Sequence, residues 1–114
     1  MDVQIFGVQK SSDTRKALRF FKERRVNVHF VDLKVRAASK GELTRFAQKF
    51  GAEALVDRDS KRFQSLGLGV AHYSDKKWLE ILMDEPLILK MPLVRKENLL
   101  SVGLAEEVWK EWVG

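Results

Sequence analysis

Residues 7–21 read GVQKSSDTRKALRFF, and they form the most informative segment of the chain because a short apolar strand passes there into an amphipathic helix. Backbone N–H groups at the start of a helix point into the preceding loop and attract anions. A reactive group in such a loop gains a lowered pKa and a cradle for an oxyanion. Ser11 occupies this place, and the chain contains no cysteine. The layout is typical of a redox or oxyanion-binding loop whose nucleophile is missing.

The composition indicates one globular domain and excludes several classes of function. A length of 114 residues suits a single core. The absence of cysteine excludes thiol catalysis, disulfides and thiolate metal sites within this chain. No apolar stretch is long enough to cross a bilayer, and the first residues lack a signal-peptide pattern. We therefore expect a cytoplasmic protein without membrane contact.

The formal net charge of +5 leaves several kinds of partner open. A basic balance can indicate nucleic acid, an anionic substrate or an acidic protein partner. The basic residues are scattered among acidic ones along most predicted helices, which favours a solvated surface. Aromatic residues do not interleave with the basic ones as they do in RNA-binding proteins, so direct nucleic-acid binding is not expected.

The first part of the chain predicts a βαβ unit. Apolar alternation predicts strands at residues 3–6 and 26–31, on either side of a helix that ends near Arg24. Ser12 or Asp13 is the expected N-cap of that helix. The two strands should run parallel, because a strand, a helix and a strand in this order are joined by a crossover.

The rest of the chain predicts helices and then a return to the sheet. A capping box at Ser39 opens the helical part. Residues 87–94 are β-like although Pro92 interrupts them, and residues 99–102 form the returning strand of a hairpin. The closing helix, residues 105–113, is expected to place three apolar side chains on one side: Leu104, Val108 and Trp112.

These elements predict an α/β fold with a thioredoxin-like sheet. Residues 1–36 and 86–114 form the predicted core, and residues 37–85 form a helical insertion between the second and third strands. The order βαβ, helices, ββα predicts a four-stranded mixed sheet in a single domain.

At this point the chain resembles the ArsC/Spx family, which contains glutaredoxin-dependent arsenate reductases and redox-sensing Spx transcription regulators. The segment at residues 7–17 is similar to the family's opening, strand–G-hydrophobic-x-x-C-x-x-[C/x]-[RK]-K-A–helix. Five later segments resemble the family in the same order: FVDLK at 30–34, SKGEL at 39–43, RDSKRFQSLG at 58–67, DEPLILKMPLV at 84–94 and VGLAEE at 102–107. The resemblance therefore covers nearly the whole chain.

The departures from the family pattern fall on its reactive positions. The resemblance puts the nucleophilic cysteine on Ser11, the regulators' second cysteine on Thr14 and an arginine on Met91. Arg58 keeps roughly the place of another family arginine. The resemblance also implies that Pro92 follows a cis peptide bond and faces the active loop, and the alternative is a trans proline on an edge strand.

The candidate site is an anion cradle at the helix start. Its predicted members are Lys10, Ser11, Ser12, Arg15 and Arg58, with Lys16 nearby. Basic side chains at a helix N-terminus oppose the macrodipole unless an anion is present, and the alternative is a solvated basic surface. No catalytic residue is predicted, because a serine nucleophile needs an adjacent base and the hydroxyl of Ser11 can simply bond the helix start.

No metal or cofactor is expected. His29 is predicted to face outward on its strand and His72 lies in a loop, so the two imidazoles do not form a ligand set.

Three functions stay open at this stage. The first is a family member that has lost thiol redox chemistry and acts by binding or regulation, with the RNA polymerase α-subunit as the partner that the resemblance implies. The second is an arsenate reductase-like, glutaredoxin-linked oxidoreductase. The resemblance implies this function, although the family's nucleophilic thiol and one of its arginines are missing. The third is a protein that binds a small anion or glutathione at the retained helix start.

Overall fold

The computed structural model describes residues 1–69 and 72–114. Its strands are β1 (Asp2–Gly7), β2 (Asn27–Asp32), β3 (Leu93–Lys96) and β4 (Leu99–Val102). Its α-helices are α1 (Ser12–Glu23), α2 (Lys40–Phe50), α3 (Lys61–Ser65), α4 (Asp75–Asp84) and α5 (Glu106–Val113). Two short 3₁₀ helices lie at Ala52–Leu55 and Pro86–Ile88.

The chain divides into two compact units. The first unit consists of Met1–Val35 and Met91–Gly114, and the second is Arg36–Lys90. Residues 70 and 71 of the predicted insertion lie outside the described residues.

The first unit contains a four-stranded mixed sheet in the order β2-β1-β3-β4. β1 and β2 are parallel, as the βαβ prediction requires, whereas β1 pairs with β3 and β3 with β4 in antiparallel fashion. The predicted α/β fold with a thioredoxin-like sheet is therefore confirmed.

The core of this unit lies between the sheet and the helices α1 and α5. Val3 and Ile5 of β1 pack with Phe21 of α1 and Trp109 of α5, and all four are essentially inaccessible to solvent. The ring centroids of Phe21 and Trp109 are 5.3 Å apart. Trp109 is tolerated in this apolar core because its indole N–H donates to the Ser101 hydroxyl at 2.8 Å.

The buried side of the closing helix is that of Trp109. Leu104 and Val108 are 42% and 41% exposed, whereas Trp109 is fully buried. A helix of eight residues presents about two turns, so its contact with the core is made by the buried Trp109 together with the partly buried Trp112 and Val113.

The second unit is held together by its helices and a short bridge. Ser39 caps α2 with the predicted capping box, and Phe46 of α2 and Trp78 of α4 are buried in the unit. α2, α4 and the 3₁₀ helix at Ala52–Leu55 pack together. Val56 forms an isolated antiparallel bridge with Leu89.

The predicted β-like segment at residues 87–94 is wrong for most of its length. Pro86–Ile88 forms a 3₁₀ helix, and the strand occupies only Leu93–Lys96. Pro92 has no N–H for a sheet ladder. The backbone just before it bonds instead within the second unit, where the Lys90 N–H donates to the Leu55 carbonyl at 2.7 Å. Apolar composition alone does not distinguish the residues that bond within the second unit from those that form β3.

No helix among residues 1–69 and 72–114 is both long enough and apolar enough to span a membrane.

Candidate functional site

The candidate site lies where β1 ends and α1 begins. Gly7 is the last residue of β1, and Phe6 pairs with Leu93 at the start of β3. The segment that precedes β3 therefore lies at the same end of the sheet as the loop 8–11. Its Met91–Pro92 peptide bond is cis, which is the isomer that the family resemblance implies.

Ser11 is the N-cap of α1. Its backbone is extended (φ −75°, ψ 119°), and its Oγ accepts the N–H of Thr14 at 3.1 Å. The expectation that Ser12 or Asp13 caps the helix is wrong, because both already lie in the first helical turn. Ser11 is the last residue whose extended backbone lets its hydroxyl reach a free N–H of that turn. The main chain of Ser11 is also bonded, since its N–H donates to the Val8 carbonyl at 3.1 Å.

Ser11 has no general base. In the part of the chain that the structure describes, no carboxylate or imidazole is hydrogen-bonded to its hydroxyl. His29 is exposed on β2, with its Nε2 3.8 Å from an oxygen of Asp2 at the far end of β1. The other imidazole, His72, belongs to the second unit, and its bond to Glu53 holds the pKa of that carboxyl below its ordinary value. Without a base, the hydroxyl stays protonated at neutral pH and is a weak nucleophile.

Thr14, the position of the regulators' second cysteine, is a packing residue. It is fully buried, and within the described residues its Oγ1 has no hydrogen-bond partner. It lies against Gly7, where an added Cβ would come 2.4 Å from that oxygen. The glycine is therefore required by the close approach of α1 to the end of β1.

The predicted anion ligands of the first unit lie around the start of α1. The side chain of Arg15 turns back to the loop, and its Nη1 donates to the Gln9 carbonyl at 2.6 Å. Lys10 and Ser12 are exposed beside it. Ser11, Ser12 and Arg15 thus lie together at the start of α1, but the cationic group among them already bonds to the protein.

Arg58 belongs to the second unit and is held there. Its guanidinium donates to Glu53 at 2.9 Å and to the Gly69 carbonyl at 3.0 Å. It also lies 5.5 Å from the ring centroids of Phe63 and Trp78. A neighbouring carboxylate, a backbone carbonyl and two aromatic faces hold this arginine within the second unit.

The net charge is concentrated in one segment of the chain. Residues 10–25 carry seven basic and two acidic side chains, a net charge of +5 that equals that of the whole chain. The remaining residues carry fourteen basic and fourteen acidic side chains. A local count of charges along the sequence would have identified this cluster, which includes Arg19 and Lys22 on the exposed side of α1.

The described residues hold no group of three histidine, aspartate or glutamate side chains that could bind a metal ion.

Fold and site together define a thioredoxin-like α/β protein in which the loop before α1 ends in a capping serine. The profile of the ArsC family matches residues 6–112. The chain therefore belongs to the ArsC family, of the ArsC/Spx type.

Known proteins similar to this chain include a regulator and two solved structures. The global transcriptional regulator Spx 2 of Oceanobacillus iheyensis is 28% identical over 109 residues, which cover 94% of this chain and 80% of the regulator. The structure of the YffB protein has a TM-score of 0.89 at 19% identity, covering 98% of this chain and 99% of YffB. The arsenate reductase of Vibrio cholerae has a TM-score of 0.83 at 22% identity, covering 97% of each chain. The two structural likenesses show the fold.

Proposed function

We propose that this ArsC-family protein is a non-catalytic binding or regulatory protein. The observation that carries the proposal is the state of Ser11, whose hydroxyl accepts the Thr14 N–H as a helix cap and has no base within the described residues. The hydroxyl therefore serves the helix, and the position has a structural role.

The missing thiol and the missing arginine also support a non-catalytic role. Thiol–disulfide exchange needs a thiolate as the attacking group, and the chain has no cysteine. Met91, where the resemblance places an arginine, has no charge with which to hold an oxyanion. The loop thus lacks both the electron donor and one of the anion ligands that an arsenate reductase of this family needs.

A protein partner is the binding role that the relatives favour. The similarity to Spx 2 of Oceanobacillus iheyensis, a global transcriptional regulator, spans nearly the whole chain. By family resemblance, the first partner to test is the α-subunit of RNA polymerase, and a role of this kind places the protein in the cytoplasm.

The loss of catalysis is tested by turnover. Wild-type protein is incubated with arsenate, glutathione and glutaredoxin, and arsenite is measured. We expect no product above the protein-free rate, and measurable turnover by the cysteine-free chain would overturn the proposal.

Two cysteine variants show whether the loop still favours a thiolate. Ser11→Cys places a thiol at the N-terminus of α1, whereas Ser12→Cys places one on the exposed first turn as a matched control. We expect the thiol at position 11 to have the lower pKa, measured from the pH dependence of its alkylation rate. Equal thiol pKa values in the two variants would show that the loop no longer has this property.

The binding role is tested by titrating the purified polymerase α-subunit into the protein in a calorimeter. Saturable binding supports a transcription-linked role. Absence of binding rejects this particular partner.

A second candidate is binding of a small anion or glutathione at the start of α1. It is favoured by the backbone N–H groups of Ser12 and Asp13, which have no acceptor among the described residues. A chemical-shift titration with phosphate, arsenate and glutathione tests it. Shifts confined to residues 11–15 support it, whereas shifts elsewhere or none reject it.

A further inference from the structure

The exposed side of α1 carries a stripe of cations. Arg15, Arg19 and Lys22 are spaced i, i+4 and i+7, so they lie on one side of the helix, opposite the buried Ala17 and Phe21. At about 1.5 Å per residue the stripe extends for about 10 Å along the axis. These three residues are called the basic face of α1 below.

The basic face is not neutralised by the protein. In residues 1–69 and 72–114, none of its three side chains forms an ion pair, and neither do the other four basic residues of the segment 10–25. In the second unit, by contrast, three arginines pair with glutamates: Arg36 with Glu42, Arg58 with Glu53 and Arg62 with Glu85. Like charges at i and i+4 destabilise a helix, so this arrangement is unfavourable until an anionic group binds.

The surroundings of the basic face favour a protein over a nucleic acid. A notch between α1 and α5 is lined by Lys16, Arg19, Phe20, Glu23, Arg24, Glu106 and Lys110. The notch places two carboxylates among four cations, and a protein surface can complement charges of both signs, whereas the uniformly negative phosphate backbone can use only the cations.

Stacking contacts for nucleic acid are missing from α1. The aromatic side chains of the helix, Phe20 and Phe21, are buried and cannot stack on bases, and the helix contains no asparagine or glutamine to pair with adenine. We propose that the basic face of α1 is the partner-binding surface of this protein and that it docks a carboxylate-rich surface of a protein partner. This inference rests on the proposed binding role and names its site and chemistry.

The test uses the full-length protein and a defined probe. The probe is a helical peptide of about 20 residues with glutamates at i, i+4 and i+7 on one side, and its control carries glutamine at those positions. Binding is measured by fluorescence anisotropy at about 50 and 200 mM salt, beside a duplex DNA of about 20 base pairs.

Two variants with the same net charge locate the surface. Arg19→Glu/Lys22→Glu reverses two exposed cations whose side chains form no hydrogen bond or ion pair within the described residues. Lys76→Glu/Lys77→Glu reverses two exposed cations in the first turn of α4. Circular dichroism and thermal melting verify that both variants are folded. We expect the first to weaken binding of the glutamate peptide about tenfold and the second less than about twofold.

Other outcomes contradict the proposal in distinct ways. Equal losses in the two variants would assign the binding to net charge and overturn the basic face. Binding of the glutamine peptide as tight as that of the glutamate peptide would overturn carboxylate recognition. DNA binding that is tighter than peptide binding and lost only in Arg19→Glu/Lys22→Glu would assign the surface to nucleic acid. None of these results decides the absence of catalysis, which the arsenate assay measures separately.

Discussion

Replacing Ser11 by alanine removes the hydroxyl that accepts the Thr14 N–H and leaves this donor without a partner. Thr14 is fully buried, so water cannot readily replace the lost acceptor. Loss of an N-cap costs about 0.5–2 kcal/mol, and a buried unpaired donor lies in the upper part of that range. We therefore expect Ser11→Ala to lower the free energy of unfolding by about 1.5 kcal/mol.

The expected change in melting temperature follows from the size of the chain. A protein of 114 residues unfolds with an entropy of about 0.24 kcal/mol/K near its midpoint. A loss of about 1.5 kcal/mol then lowers the melting temperature by about 6 °C. Urea denaturation monitored by tryptophan fluorescence gives the free energy, and a thermal scan by circular dichroism gives the temperature.

Two matched variants isolate the cap. Ser12→Ala changes an exposed hydroxyl that forms no hydrogen bond in the described structure, and it should stay within about 0.5 kcal/mol of wild type. Ser11→Asp keeps an acceptor and adds a favourable charge at the helix start, so it should retain most of the stability. Equal stabilities of Ser11→Ala and Ser12→Ala would refute the capping role, and with it the structural reason given for the serine.

Three further changes test the packing and the electrostatics. Ser101→Ala leaves the buried indole N–H of Trp109 unpaired and should cost about 1–3 kcal/mol in urea denaturation, whereas no loss would mean that the 2.8 Å bond contributes little. Gly7→Ala forces a methyl group to within 2.4 Å of the Thr14 hydroxyl and should cost about 1–3 kcal/mol; adding Thr14→Ala should restore most of this, and additive losses in the double-mutant cycle would contradict the clash. The hydrogen bond from its arginine partner lowers the pKa of Glu42 from 4.5 to about 2, so its stabilisation is complete above pH 4.5 and is lost as the pH falls toward 2. Because this ion pair is partly exposed, Glu42→Gln should cost about 1 kcal/mol at neutral pH, and the difference from wild type should shrink as the pH approaches 2 and vanish below it in denaturation curves recorded across this range.

The sheet could be predicted because its signals are local. Alternating apolar residues mark β1 and β2, and the capping box at Ser39 is contained within four consecutive residues. The returning strand β4 was predicted at its observed bounds, Leu99–Val102, because a short turn fixes the register of a hairpin. Parallel pairing then followed from the order of the elements.

Tertiary contacts explain where prediction from the sequence failed. Leu89 and Lys90 are β-like by composition, but their backbone groups bond within the second unit, and no local pattern shows this. The burial of Trp109 in α5 depends on Ser101, which accepts its indole N–H across the core, and no local pattern indicates this pair. The N-cap at Ser11 differs from the predicted one by a single position, because three polar residues in succession can each cap a helix and only the backbone geometry selects one.

The serine cap and the basic face have opposite effects on the stability of α1. Basic side chains in the first turns of a helix oppose its dipole, and the repulsion between Arg15 and Arg19 adds to this cost. A helix carrying that charge needs support at its N-terminus, which Ser11 provides through its hydroxyl and Asp13 through its carboxylate. At the position where the resemblance places a reactive thiol, the side chain stabilises the helix that presents the cations. Ser11 therefore supports the proposed binding surface through the stability of α1. Because Ser11 and Arg19 are about 12 Å apart along the helix, Ser11→Ala should cost the same in the wild-type chain and in the Arg19→Glu/Lys22→Glu variant, and unequal losses in urea denaturation would show that the cap and the basic face are coupled.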